Sequence, residues 1–209
     1  MTKVKICGIT NFPDAVNAMD SGADAIGFNF YKDSKRYISS QEAESIVERL
    51  EKPIIKVGVF VNESIEKIID AEALAELDAI QLHGDESPAF VAQLRAGTNS
   101  AIIKALRVTP GFSPRDVLEY EADAILLDHY SPLERGGTGN TVNFDIARSV
   151  SNVVDVLYLA GGLSPANVED AIRMVGPYAV DACSCLETSP GIKDHEKVAA
   201  FVKAAKEGI

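Results

Sequence analysis

Lys5-Ile6-Cys7-Gly8-Ile9-Thr10 stands near the start of the chain and sets a pattern that recurs to its end. A short apolar strand carrying Val4 and Ile6 runs into a cysteine and a glycine. A helix-start signal comes next: Asn11 with Asp14 three residues on, and Pro13 in the first turn. Cys7 therefore sits where a strand ends and a helix begins. In a sheet with helical crossovers that is the C-terminal edge of the strand, where ligands bind. A small buried hydrophobe is the other reading of such a cysteine, and the rest of the chain weighs between them.

Outward from this unit, apolar runs of strand length alternate with segments of helical period. The candidate strands are Val4–Ile6, Ala25–Phe28, Ile54–Val61, Ala79–Leu82, Ala101–Leu106, Ala124–Leu127, Val156–Leu159 and Tyr178–Ala182. Between them apolar residues recur at i, i+3, i+4, i+7, as in Ala43, Ile46, Val47, Leu50, then Val168, Ala171, Ile172, Val175, then Val198, Phe201, Val202, Ala205. Helix starts are marked by the capping box Ser39/Glu42, by Ser87-Pro88, by Ser164-Pro165 and by Asp194. A fifth helix is expected around Phe112 to Tyr120, short and interrupted by Pro114, with Pro110 just ahead. Asp-Ala-Ile opens three even-numbered strands, at Asp24, Asp78 and Asp123, as in a barrel whose alternate strands contribute equivalent layers. Eight βα units of roughly 25 residues use the whole chain, so the expectation is α/β, a single (β/α)8 barrel domain over residues 1–209. An open doubly wound sheet is the competing architecture.

The bulk numbers narrow the function. A net charge of −11 works against nucleic acid, whose phosphates need a surplus of Lys and Arg, and against an anionic membrane surface. An anionic ligand must therefore be held by backbone N–H groups and a few placed cations. Three cysteines, two of them late in the chain, do not form a disulfide framework. No apolar run approaches the roughly 18 residues of a spanning helix. These features point to a cytoplasmic protein with reduced thiols, either a monomer or a homodimer.

In a barrel, the strand C-terminal ends point into one mouth. That places Cys7, Asn29, Gln81 to Gly84 with His83, Lys104, Asp128, Ala160 to Gly162 and Asp181 to Cys183 on one rim, while the N-terminal ends supply no comparable polar set. Gly161-Gly162 before Ser164-Pro165 would let backbone N–H groups approach an anion ahead of a helix N-terminus. Arg36, in a cationic stretch from Lys32 to Arg36, has the fork to clamp a carboxylate. Gly136-Gly137-Thr138-Gly139 lacks the ending of a nucleotide-binding loop and is expected to be a flap over the mouth. Cys7 and Asp128 are the pair of interest, because in a dry site a thiolate base and a carboxylic acid can share one proton-transfer task.

Taken together, Lys5 to Thr10, Gly27 to Tyr31 with Ser34 to Ile38, Gln81 to Gly84, Leu127-Asp128, Gly136 to Gly139, Gly161 to Leu163 and Ser189 to Asp194 resemble the phosphoribosylanthranilate isomerase family. The resemblance runs from the first strand to the last helix. It implies a (β/α)8 barrel that carries out an Amadori rearrangement in tryptophan biosynthesis on a small phosphosugar, with no cofactor and no metal. By resemblance Asp128 is the general acid and Cys7 the general base. Arg36 meets the anthranilate carboxylate, His83 lines the mouth with Gln81 beneath it, and Asp181 orients ribose hydroxyls. Gly161, Gly162 and the backbone at Ser184 and Cys185 cradle the phosphate. Where the family reads Val-Asp-Val-Ser-Ser-Gly-Val-Glu, this chain has Val180 to Glu187 with Cys185 at the glycine. A side chain there is expected to crowd the anion or to demand an unfavourable backbone. Asn140 likewise replaces a usual lysine.

The competing functions are another phosphosugar isomerase or epimerase, and a phosphate-ligand binding barrel with impaired catalysis. Cys7, Cys183, Cys185 and His83 are also expected on one rim, which would allow a zinc site or a disulfide from Cys7 to Cys183 or Cys185.

Overall fold

A computed structural model describes residues 1–109, 111–129 and 143–207, with the side chain of His129 excepted. Eight parallel strands close into a barrel in sequence order: β1 (Lys3–Cys7), β2 (Ala25–Asn29), β3 (Ile55–Phe60), β4 (Ala79–Leu82), β5 (Ala101–Val108), β6 (Ala124–His129), β7 (Leu157–Leu159) and β8 (Ala179–Ala182). Closure comes from β8 returning beside β1, with Val4 opposite Val180, Lys5 opposite Asp181 and Ile6 opposite Ala182. The open doubly wound alternative is thereby excluded.

Period-two alternation divides each strand between two cores. Val4 and Ile6, Ile26 and Phe28, Ile80 and Leu82 and their equivalents face outward, where the helices cover them. The helices are α1 (Phe12–Asp20), α2 (Ser40–Val47), α3 (Ile65–Leu74), α4 (Pro88–Arg95), α5 (Phe144–Ser151), α6 (Val168–Val175) and α7 (His195–Glu207). The inward residues form a second, smaller cluster of Ala25, Val57, Ala79, Ile103, Ala105, Ala124, Leu126 and Ala160. Three of its alanines come from the Asp-Ala-Ile repeats. Small side chains suit the narrow interior of an eight-stranded barrel.

Most expected caps are present. Asn11 accepts from the Asp14 N–H, Ser39 and Glu42 close their capping box, and Ser87 accepts from the Phe90 N–H. Asp194 Oδ1 accepts from the Lys197 N–H at 3.1 Å. Two expectations change. After β5 the chain makes only a 3-10 turn, Asp116–Glu119, where a fifth helix was expected; Pro114 removes an N–H donor and blocks a longer ladder. Pro110 lies outside the described residues. The helix expected at Ser164-Pro165 instead begins at Val168, because Asn167 folds back, donating to the Gly162 carbonyl and accepting from the Ser164 N–H.

The N-terminal rim also differs from expectation, since it does carry a polar set. The Asp24, Asp78 and Asp123 carboxylates accept the backbone N–H groups of Val4, Lys56 and Ile102 at 2.8, 2.8 and 2.7 Å. Each of these aspartates donates its own N–H back to the same residue's carbonyl, at 2.9 Å in all three cases. Lys3 and Lys206 pair with Asp24, Lys56 with Asp78 and Arg95 with Asp123. The repeat therefore fixes β2, β4 and β6 each to the start of the strand before it. It is a structural staple.

Candidate active site

The opposite rim encloses a cavity of about 500 Å³, lined by Cys7, Asn29, Arg36, Gln81, His83, Asp128, Gly161, Gly162, Asp181, Cys183, Ser184 and Cys185 among others. Every residue given a catalytic, substrate or phosphate role by resemblance is in this wall. The strands place them by parity: Lys5 and Cys7 share the inner face of β1, Asp128 ends β6, and Asp181 sits on the inner face of β8. Lys104 is the exception on the rim. It faces outward from β5, buried, with its ammonium 2.7 Å from Glu86 and 3.0 Å from the Gly84 carbonyl. Glu86 in turn accepts the N–H groups of Asn62 and Gly84. Lys104 thus anchors the loop after β4 and does not line the cavity.

Lys5 opens the first motif, yet sequence alone assigns it no role. Its side chain is fully buried, and its ammonium lies 2.9 Å from Asp181 Oδ1. Burial alone would depress this ammonium, but the charges of Asp181 and Cys7 outweigh burial and raise it above its ordinary range. Burial pushes the Asp181 carboxyl up to about 6, against the pull of Lys5. The signal for Lys5 was present: a lysine two residues before Cys7 inside an apolar strand must share its face. Gly27 on the neighbouring strand makes room for both. A Cβ there would lie 2.8 Å from Cys7 Sγ and 3.2 Å from Lys5 Cε.

Cys7 is held well below the ordinary thiol range by a hydrogen bond from the Cys183 thiol and by the ammonium groups of Lys5 and Lys193, which together overcome its burial. The Cys183 thiol moves the other way, raised by its bond to Cys7 and by burial. Lys193 is a second residue that sequence reasoning missed. It sits in a hairpin of β9 (Glu187–Ser189) and β10 (Ile192–Lys193) after the last barrel strand. Its N–H donates to Asp14 at 2.8 Å, so the first helix fixes it in place. Its ammonium donates to Glu187 at 3.0 Å and to the Cys183 carbonyl at 3.3 Å.

Glu187 also receives Arg36, with Nε at 3.0 and 3.1 Å from its two oxygens and Nη2 at 2.7 Å. Burial would raise this carboxyl, yet Arg36 and Lys193 bring it below its ordinary range. The Arg36 fork therefore already grips one carboxylate along its Nε edge. A ligand carboxylate must use the other edge, Nη1 and Nη2. Asn29 shapes the loop that carries Arg36, donating to Ser34 Oγ at 3.0 Å and accepting the Tyr31 N–H at 3.0 Å.

Across the mouth, His83 Nε2 lies 3.3 Å from Asp128 Oδ2, and Gln81 Nε2 lies 3.0 Å from His83 Nδ1. One ring nitrogen of His83 thus meets Gln81 and the other faces Asp128. Gln81 Oε1 is buried and has no partner among the described residues. Gly161 and Gly162 adopt positive φ, 84° and 70°, turning the loop after β7 toward the cavity where a side chain would be strained. Opposite them, Ser184 and Cys185 open a 3-10 turn, Ser184–Leu186. Among the described residues, the only non-glycine residues with positive φ are Asn62 and Glu76, so Cys185 imposes none of the backbone strain expected of it. Gly136 to Gly139 and Asn140 lie outside the described residues. Among those described, no cluster of three or more His, Cys, Asp or Glu side chains is set to hold a metal, and Cys7, Cys183 and Cys185 are free thiols.

A family model described as N-(5'-phosphoribosyl)anthranilate (PRA) isomerase matches residues 4–204. The N-(5'-phosphoribosyl)anthranilate isomerase of Thermotoga neapolitana is 46% identical over 206 residues, 99% of each chain. A crystal structure of phosphoribosyl anthranilate isomerase in complex with reduced 1-(o-carboxyphenylamino)-1-deoxyribulose 5-phosphate superimposes with a TM-score of 0.84 at 40% identity, over 99% of each chain. Monomers generated from the dimeric Thermotoga maritima enzyme superimpose with a TM-score of 0.84 at 39% identity, again over 99% of each chain.

Proposed function

The chain belongs to the N-(5'-phosphoribosyl)anthranilate isomerase family, and from that premise we propose that Cys7 and Asp128 carry its rearrangement as base and acid. The reaction converts phosphoribosylanthranilate, an aminoaldose, to the aminoketose in tryptophan biosynthesis. Asp128 protonates the furanose ring oxygen, the C1–O bond breaks, and the anthranilate nitrogen supplies the electrons for a Schiff base at C1. The Cys7 sulfur then takes the proton from C2. The electrons of that C–H bond form the enolamine, which tautomerises to product as C1 regains a proton.

The observation that carries this reading is that Cys7 and Asp128 line one cavity, from the ends of β1 and β6. Cys7 has cations and a thiol donor around its sulfur. Asp128 Oδ2 faces His83 Nε2 at 3.3 Å. Arg36 offers its outer edge to the anthranilate carboxylate, and the unpartnered Gln81 Oε1 on the cavity wall accepts from a sugar hydroxyl. Asp181 reaches the ribose with whatever Lys5 leaves free. Gly161, Gly162, Ser184 and Cys185 surround the phosphate from the loops after β7 and β8, the usual place for it in this fold. Protein acid and base suffice for each step, without a cofactor or metal.

The net charge of −11 sets the chain against nucleic acid and anionic membranes as partners. Among the described residues no helix is long and apolar enough to cross a membrane. We read the protein as a single-domain cytoplasmic enzyme, monomeric or homodimeric. The direct test generates phosphoribosylanthranilate in place and follows its fluorescence loss. Wild type turns it over, whereas Cys7→Ala loses about 10²–10⁴-fold in kcat/KM, the range for removing a general base. Equal turnover by the two proteins would overturn the assignment.

A further inference from the structure

We infer that Lys5 is a positioning residue for this reaction: clasped by Asp181, its buried ammonium supplies the counter-charge for the Cys7 sulfur. The inference rests on the reading of Cys7 as the base. A lysine with no solvent exposure, inside a barrel whose other inward positions are mostly alanine, valine and leucine, costs several kcal/mol to desolvate. An apolar residue of the same length would fill the space. What the ammonium does there is contact Asp181 at 2.9 Å, on the inner face of β1 that it shares with Cys7. Cys7 Sγ and Lys5 Cε both border the gap that Gly27 leaves, 2.8 and 3.2 Å from where a Cβ would stand.

The charges around Cys7 come from several elements. Lys5 approaches along β1 and Asp181 along β8. The Cys183 thiol and the Lys193 ammonium come from beyond β8, and Arg36 from the loop after β2, paired to Glu187. Lys193 and Arg36 are both engaged by Glu187, which offsets much of their charge. Asp181 is the nearer partner of Lys5, at 2.9 Å, and acts on it more strongly than Cys7 does. Each cation is paired to a carboxylate, and Lys5, on the same strand face as Cys7, acts on the sulfur more strongly than Lys193.

The test is alkylation of Cys7 by iodoacetamide as a function of pH, read at the Cys7 peptide by mass spectrometry, together with the pH profile of kcat/KM. In Lys5→Met the alkylation midpoint is expected to rise by about 1–3 pH units. Isomerase activity at pH 7 should fall roughly tenfold or more and recover as the pH is raised. The paired variant Lys5→Met/Asp181→Asn, which leaves no buried carboxylate without its cation, should show the same upward alkylation midpoint and serves if the single variant folds poorly. An alkylation midpoint unchanged from wild type in either folded variant would overturn the inference, even where activity is lost, since loss alone would then be structural. Because alkylation does not require turnover, the two failures are distinguishable: an active Cys7→Ala would defeat Cys7 as base and with it the part of Lys5 in the reaction, whereas an unchanged alkylation midpoint would defeat only the effect of Lys5 on the sulfur.

Discussion

The two rims of the barrel are built from the same kinds of side chain and do different work. At the N-terminal rim Asp24, Asp78 and Asp123 accept backbone N–H groups and pair with Lys3, Lys56, Arg95 and Lys206 where both partners keep some contact with water. Water screens those pairs, and each carboxylate has its acceptor capacity used locally. At the C-terminal rim the Lys5–Asp181 and Lys193–Glu187 pairs are buried, with side-chain exposures of 0 and 8% for the first and 0 and 4% for the second. There burial strengthens each charge's effect on its neighbours, and the neighbours include Cys7 and Arg36. A carboxylate beside a lysine is a staple in one setting and a means of tuning a thiol in the other.

That contrast is sharpened most by Glu187→Gln. Removing this charge leaves Arg36 and Lys193 without their common partner, and breaking such a buried pair costs about 3–5 kcal/mol, to be read by denaturant unfolding. The sign with pH follows from the direction of its shift. Because the folded carboxyl lies below its unfolded value, its contribution is present above the ordinary glutamate range and lost as pH falls through the folded value. The variant should therefore show a shallower loss of stability in acid than wild type. A cost under about 1 kcal/mol, as for exposed pairs, would erase the difference between the rims.

Arg36→Lys comes next. It keeps the charge near Glu187 but loses the fork whose outer edge meets the ligand carboxylate. KM is expected to rise roughly tenfold, the worth of one charge-assisted hydrogen bond, with kcat little changed. An unchanged KM would remove Arg36 from the ligand site. The smallest effect belongs to the lower rim: Asp78→Ala should cost about 1 kcal/mol of stability, one backbone hydrogen bond, and leave kcat/KM as it was. A large loss of activity in that variant, with the protein folded, would break the comparison from the other side.

The same contrast explains how far the sequence could be read. Strand parity and the run of alternating segments are local properties, so the barrel, the caps at Asn11, Ser39 and Ser87 and the rim positions of Cys7, Gln81, His83 and Asp128 were legible. Residue type at a strand end was not enough to say what a charge meets. Lys104 and Lys5 are both lysines within apolar strands, yet one faces outward to Glu86, 18 residues away, and the other inward to Asp181, 176 residues away. The second partner is set by barrel closure. Glu187 and Lys193 were hidden for a related reason, since their role depends on a hairpin folded back against α1. At Cys185 the concern was a side chain that crowds the anion or strains the backbone, and the 3-10 turn removes the second.

If the chemistry belongs to one rim alone, the most direct measurement is kcat/KM for Cys7→Ala and Asp78→Ala side by side. Each variant is first shown to be folded, and phosphoribosylanthranilate is generated in the assay. The prediction is a loss of about 10²–10⁴-fold for Cys7→Ala and a value within about twofold of wild type for Asp78→Ala. Near-wild-type turnover by Cys7→Ala, or losses of similar size in both, would contradict it.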